Sequence, residues 1–449
     1  MHFHGGVVAI LSIQLIIFAG VIDHAEGRKG FNGSEQEWGF VTVRPKAQMF
    51  WWLYYTTSDE VTDVHDKPLL IWLQGGPGAS STGYGNFEEF GPLDLQLNPR
   101  NHTWVKDYNV LFIDNPVGSG FSYAETPTAF AKTNAQIASD LVECIRGFYN
   151  ELPKWLPVPV YITAESYGGK MTVEFALEWD KAQKAGTIKS NLQGVLLIDS
   201  WISPIDSVLS WGTFLLNTGM VDAQGYEKIE ASAQLTKEAV ENEQWTAATR
   251  LWSGTEGVIM RVTGNIDFYN ILYKMSWSTF KSSSQPFKPI LPSGASREVD
   301  TDALLDALMN NEVKSALGIA KDVVWGSQSN SVFSYLGADF MKPATDKVEQ
   351  LLNETDIHVF VITGQMDLIV ATPGTIAWVE RLKWKNSTEW HKAPRNPFAV
   401  DGIIEGYLKE YGNLKMYWVN RSGHMVPKDN PAATAAMLKH LTANGKRIE

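Results

Sequence analysis

Residues 160–170 read Val160-Tyr161-Ile162-Thr163-Ala164-Glu165-Ser166-Tyr167-Gly168-Gly169-Lys170. An apolar, β-branched run leads through a serine into a Gly-Gly pair and then a helical pattern. That order predicts a strand, a tight turn and a helix, with Ser166 at the apex. A serine hydroxyl is a weak nucleophile unless it is exposed on such a turn beside a base. The sharp backbone asks for small residues two before and two after the serine. Ala164 and Gly168 stand there, so the usual G-x-S-x-G is met as A-x-S-x-G. Pentapeptides of this kind recur by chance, and the weight falls on whether the chain supplies partners for Ser166.

Working outward, short apolar runs bounded by turn residues recur along the chain. They are Pro68–Leu73, Val110–Ile113, Val160–Thr163, Gly194–Ile198, His358–Ile362 and Leu414–Val419. Gly39–Val43 and Gln48–Tyr55 precede them as an expected antiparallel pair. Helical patterns alternate with the runs at Asn134–Asn150, Met171–Lys184, Pro373–Leu382 and Pro431–Leu441. Runs apolar on both faces, alternating with helices, predict an α/β fold: a central, mostly parallel sheet with flanking helices. Ligands in such sheets bind outside the carboxyl ends of the strands. Over 200–344 the rhythm lapses. Trp211–Gly219 and one long stretch, Ala223–Leu251, read as helix, and the polar segment 281–296 reads as a loop open to proteolysis. The expected division is a signal peptide over 1–27, a first part of the α/β domain over 28–199, an inserted and largely helical cap over 200–344, and a second part over 345–449.

A nucleophilic serine needs a base oriented by a carboxylate. Of nine histidines, His424 alone lies on a loop directly after a strand and near the C-terminus, in Asn420-Arg421-Ser422-Gly423-His424. Asp367 follows the strand 358–362 in the same way. An Asp in that place also serves as a helix N-cap, and a histidine there also serves as a capping or surface group. The order Ser166, Asp367, His424 is the order this fold uses. An oxyanion hole needs two backbone N–H groups. Tyr167, directly after the serine, offers one, and the loop Gln74-Gly75-Gly76-Pro77-Gly78 after an early strand offers another.

Composition narrows the rest. Apolar residues make up 44% of the 449, enough for one large core, and the 17 Trp leave a surplus for lining a cleft. The formal charge is −12 without a Lys/Arg block, which excludes nucleic acid as a partner. Val7–Ile22 is apolar apart from Ser12, Gln14 and Gly20, and Ala25-Glu26-Gly27 offers a small-x-small cleavage site. The run is short of the ~20 residues of a span, so no membrane span is expected after signal cleavage. Cleavage removes Asp23 and Glu26 and moves the charge from −12 to −10. The one cysteine, Cys144, sits on a helical pattern as a small buried hydrophobe and has no partner for an internal disulfide. No Cys/His cluster has metal-ligand spacing, so no metal or other cofactor is called for. Asn32, Asn101, Asn353, Asn386 and Asn420 head N-x-S/T sequons and are candidate glycan sites.

WLQGGPGASS (72–81), FEEFGPL (87–93), DNPVGSGFSY (114–123), AESYGGK (164–170), GQMDLIV (364–370) and GHMVPKDNP (423–431) together resemble the signature blocks of serine carboxypeptidases. The resemblance implies an α/β-hydrolase fold and removal of single residues from peptide C-termini at acidic pH. It implies Ser166 as nucleophile, Asp367 as orienting acid, His424 as base, and Gly76 with Tyr167 as the oxyanion hole. It also implies that Gln74, Glu89 and Glu165 bind the substrate carboxylate and that Met425 lines the pocket of the leaving residue. Clustered, partly buried carboxyls hold their protons, and a protonated carboxyl donates to a carboxylate that an ionised one repels. Departures from the commoner pattern are Gln74 for Asn, Ala79 for Cys and Ala164 for Gly. The first bears on carboxylate binding. The expected partners are peptide or protein C-termini, with a homodimer an open option, and the expected location is the secretory pathway, secreted or lysosomal. An acyltransferase, a general esterase and a non-catalytic binding protein on the same scaffold are the competing readings.

Overall fold

The computed structural model describes residues 28–273 and 301–443. The expected signal peptide and the 281–296 loop lie outside the described residues. Twelve strands form one sheet: β1 Arg28–Lys29, β2 Glu35–Arg44, β3 Ala47–Tyr54, β4 Leu69–Leu73, β5 Asn109–Ile113, β6 Tyr123–Ala124, β7 Pro159–Glu165, β8 Asn191–Ile198, β9 His358–Gly364, β10 Arg395–Val400, β11 Ile403–Tyr411 and β12 Leu414–Val419. Their order is β1-β2-β3-β5-β4-β7-β8-β9-β12-β11-β10, with β6 on β3. The centre, from β5 to β12, is parallel, and antiparallel strands close both sides.

The apolar runs become strands because both faces are covered, and the two-residue period sorts their side chains between two cores. Leu69, Ile71 and Leu73 of β4, Val160 and Ile162 of β7, and Val359 and Val361 of β9 enter one core. Leu70, Trp72, Tyr161, Phe360 and Ile362 from the same strands enter the other. Helix α1 (Asn134–Glu151) covers the first core with Ile137, Leu141, Ile145 and Phe148, and α2 (Tyr167–Lys184) adds Met171, Phe175 and Trp179. Across the sheet lie a π-helix, Ser81–Phe90, with Phe87 and Phe90, and the C-terminal helix Pro431–Thr442 with Met437, Leu438 and Leu441. Cys144 is fully buried on α1, and burial pushes its thiol pKa up.

One expectation is corrected, and one element is new. The single helical stretch 223–251 is two helices, α4 (Ala223–Glu241) and α5 (Trp245–Thr263), with α3 (Pro204–Asn217) before them. Neither Gly nor Pro stands in Glu241-Asn242-Glu243-Gln244, so no breaker announces the turn. Glu243 takes φ +53° there. The break lets Ile229, Ala233 and Thr236 of α4 pack back on Ala248, Thr255 and Ile259 of α5, with Ser232 and Thr255 hydroxyls 2.9 Å apart. Tertiary packing thus overrides a continuous local propensity. The hairpin β10–β11 was not expected, because its strands are largely exposed and lack apolar runs. Its signal was Asp401-Gly402 at the tip, with φ +49° and +80°, a two-residue turn of the kind that joins antiparallel strands.

One buried acid ties the loops that frame the strand ends. Asp114, fully buried after β5, accepts from Ser80 Oγ (2.7 Å), Thr82 N–H (3.0 Å), Thr82 Oγ1 (2.8 Å) and Phe121 N–H (2.9 Å). Asp114→Ala strands two amides and two hydroxyls in the interior. Its expected cost is about 3 kcal/mol of stability, read as a lower denaturant midpoint. A wild-type midpoint would contradict this account.

Candidate active site

The register of the parallel strands places their carboxyl ends side by side. Glu165 of β7 pairs with Ile198 of β8, Ile198 with Ile362 of β9, and Gly364 with Val419 of β12. Ser166 follows β7 at φ +60°, ψ −129°, a conformation that a residue with a Cβ rarely adopts. It is held by its own N–H to Ile198 O (3.0 Å) and by Trp201 N–H to its carbonyl (2.8 Å). Close packing enforces the glycines around it. A Cβ at Gly168 would lie 2.2 Å from Leu73 O, and one at Gly75 would lie 2.5 Å from the Ser166 Cβ. The loop after β4 therefore lies directly against the serine, and Gly76 in it takes φ +106°.

Asp367 and His424 meet at the adjacent strand ends. Asp367 Oδ2 is 2.7 Å from His424 Nδ1, and both residues are buried. The N-cap alternative is not met: the next helix, Thr372–Glu380, has Ala371 at its N-cap, and the Val370 N–H that donates to Asp367 Oδ1 (3.2 Å) belongs to the turn before it. The His424 N–H donates to Tyr269 O (2.6 Å). The other ring nitrogen, Nε2, is buried and has no hydrogen-bond partner. His424 and Ser166 line the same pocket, together with Gly75, Gly76, Tyr167, Gln74 and Glu165. Trp201, Trp252, Phe333 and Phe340 supply an aromatic wall opposite, which is where part of the aromatic surplus goes. Burial pushes the His424 pKa down to about 4, against the opposing pull of Asp199, Glu89 and Asp429. The imidazole is therefore neutral, and able to take a proton, well into the acid range.

Beside the serine, Gln74, Glu89 and Glu165 form one buried cluster. Gln74 Nε2 donates to Glu165 Oε1 (2.9 Å) and to Glu89 Oε1 (3.1 Å), while Trp72 Nε1 donates to Gln74 Oε1 (2.7 Å). Both amide protons of Gln74 are thereby committed to the two acids. Glu89 and Glu165 meet at the Gln74 amide, and the second oxygen of each, Oε2, is buried without a partner. Burial chiefly pushes the Glu89 pKa up to about 7. Burial, and then the Glu89 charge, pushes Glu165 well above the usual carboxylate range.

Met425 is buried next to His424 and is not among the described residues lining the pocket. Asn32, Asn101 and Asn353 are exposed, whereas Asn386 and Asn420 are half-buried. A further acid, Asp199, stands behind the triad candidates and was not anticipated. The signal is present in the sequence: Asp199 is the first residue after the run Gly194–Ile198, an acid at a strand end as Asp367 is an acid on the loop after the run 358–362. Among the described residues, Asp199, Asp367 and His424 are the only group of three or more with metal-ligating atoms close together, and they are the triad candidates with their neighbour.

The serine carboxypeptidase family model matches residues 27–444. A retinoid-inducible serine carboxypeptidase of Rattus norvegicus is 42% identical over 97% of this chain and 98% of its own length. The serine carboxypeptidase-like 51 protein of Arabidopsis thaliana is 36% identical over 96% of this chain and 98% of its own. Among solved structures, the prohormone-processing carboxypeptidase Kex1 of Saccharomyces cerevisiae superposes with a TM-score of 0.77 at 20% identity, over 92% of each chain, which fixes the α/β-hydrolase fold. A family match over nearly the whole chain, with a relative this similar along its full length, makes the chain a member of the serine carboxypeptidase family.

Proposed function

We propose that this family member removes single residues from peptide C-termini in acid, through an acyl-enzyme on Ser166. The Gln74–Glu89–Glu165 cluster next to Ser166 carries the reading. With their protons on, Glu89 and Glu165 present O–H donors to the terminal carboxylate of a peptide. That carboxylate then sets the last peptide carbonyl over Ser166 Oγ. As Oγ attacks, His424 Nε2 takes its proton, and Asp367 at Nδ1 holds the ring and favours the imidazolium. The N–H groups of Gly76 and Tyr167 receive the oxyanion. His424 returns the proton to the departing amine as the C–N bond breaks, and water then releases the acyl group from Ser166. Residues 200–344 act as the cap that supplies the aromatic wall. Passage through the secretory pathway, to secretion or the lysosome, accords with the apolar N-terminal run and the sequons.

Ser166→Ala is expected to lower kcat by about 10⁴-fold or more while the peptide still binds. Single-turnover and binding measurements check this, and full activity would end the proposal. The pH dependence has a definite sign. Below about pH 4 His424 gains a proton and catalysis falls. Above about pH 7 Glu89 loses its proton, the cluster turns anionic and repels the substrate carboxylate, and KM rises. Between pH 5 and 8 the peptide KM should rise by about tenfold, a loss of about 1.4 kcal/mol in binding. An ester without a free carboxylate should show less than about a threefold change. Peptides amidated at the C-terminus should be poor substrates at pH 5, and equal cleavage of amide and acid forms would favour a general esterase instead.

A further inference from the structure

Asp199 occupies φ +38° at the end of β8 and is fully buried. Its N–H donates to Ile362 O at 2.9 Å. The Gly364 N–H lies 2.8 Å from its Oδ1 and 3.1 Å from its Oδ2, so one amide is shared between both oxygens. Its carboxyl group lies beside that of Asp367, which is equally buried. Asp199, Asp367 and His424 each bring a polar atom within 4.8 Å of the others. Two ionised carboxylates this close and this deeply buried repel each other, so one of the pair holds a proton.

The surroundings decide which one. Asp367 receives His424 Nδ1 on one oxygen and the Val370 N–H on the other. Asp199 receives only the shared Gly364 N–H. Donors stabilise the ionised form, so the charge belongs on Asp367 and the proton on Asp199. The other titratable groups around the pair are mostly acids: Glu165 at the end of β7, Glu89 on the π-helix, Asp267 after α5, and Asp429 after His424. Tyr269 stands with its ring centroid 5.2 Å from that of His424. Apart from His424, a second buried negative charge here would face only like charges. Burial, followed by the Asp367 charge, raises the Asp199 pKa well above the usual carboxylate range.

We propose that Asp199 is a positioning residue of the triad: it holds the proton of an acid pair and donates it as a hydrogen bond to the Asp367 carboxylate. That bond aims Asp367 at His424 and leaves the pair with a single negative charge. The inference rests on the Ser166–His424–Asp367 reading and deepens it. Carboxylate recognition by Glu89 and Glu165 works only in acid, yet the base works only when neutral. Drawing charge density from Asp367 toward Asp199 weakens its hold on the imidazolium, which keeps His424 neutral at the pH where the carboxyl cluster retains its protons.

The test uses an ester substrate, which bypasses the carboxyl cluster, and follows kcat and kcat/KM from pH 3.5 to 8. The full-length protein is compared with Asp199→Ala, Asp199→Asn and Ser166→Ala. Asp199→Ala removes the donor and is expected to cost at least about tenfold in kcat. It should also move the acid-limb midpoint up by about half a unit or more, since Asp367 then bears its whole charge against His424. Asn keeps an N–H donor for Asp367 and a carbonyl for the Gly364 N–H. Asp199→Asn should therefore recover kcat to within about threefold of wild type, with the acid midpoint restored. A structural role alone would lower the unfolding midpoint without moving the acid limb. The inference is overturned if Asp199→Ala keeps the wild-type profile, or if Asp199→Asn is as impaired as Asp199→Ala. Should Asp199→Ala not fold, Asp199→Asn decides alone, and a tenfold loss in it overturns the inference. Ser166→Ala separates the two failures: retained ester hydrolysis there sinks the triad itself, whereas an inactive Ser166→Ala beside unaffected Asp199 variants sinks only this inference.

Discussion

Everything at the site depends on the parallel register of β7, β8, β9 and β12. Hydrogen bonding fixes their carboxyl ends close together: β7 and β8 end level at Glu165 and Ile198, Ile198 lies beside Ile362, and β9 and β12 end level a little further on at Gly364 and Val419. Ser166 and Asp199 are the next residues after β7 and β8, and Asp367 and His424 lie on the loops that follow β9 and β12, all drawn from distant parts of the chain. A shift of one strand by a single residue would exchange the two cores and turn these side chains to the wrong faces. The glycines at the loops then let backbone meet backbone, as Gly75 meets Ser166 and Gly168 meets Leu73.

The second constraint is desolvation. Glu89, Glu165, Asp199 and Asp367 are all nearly or fully buried, close to one another and without an Arg or Lys hydrogen-bonded to any of them among the described residues. Charged acids in such a place repel, so several keep their protons and become donors. The same burial works the other way on His424 and keeps it neutral. One physical cause thus suits the proposed recognition groups to acid solution and suits the proposed base to working there too. The proposed hydrogen bond from Asp199 to Asp367 fits the same economy, one proton taking the place of one charge.

Much of this was legible along the chain. The apolar runs from Leu69 to Val419 announced the central strands, because a strand buried on both faces must be apolar throughout. Ser166 was legible because a tight turn has local residue demands, and Asp367 and His424 because each follows such a run. The β10–β11 hairpin was not, since exposed strands carry little apolar signal. The break at Asn242–Gln244 was not either, because it comes from α4 and α5 packing on each other and not from a local breaker.

By itself the sequence determined the α/β alternation, the elbow at Ser166, the Ser–Asp–His order and the glutamate at 165, since period and turn chemistry are written in neighbouring residues. Only the tertiary structure decided that Gln74 spends both its N–H groups on Glu89 and Glu165, that Asp199 stands behind Asp367, and which acids hold protons. Those outcomes follow from burial and from distances between residues far apart in the chain, and neither is a property of any one stretch.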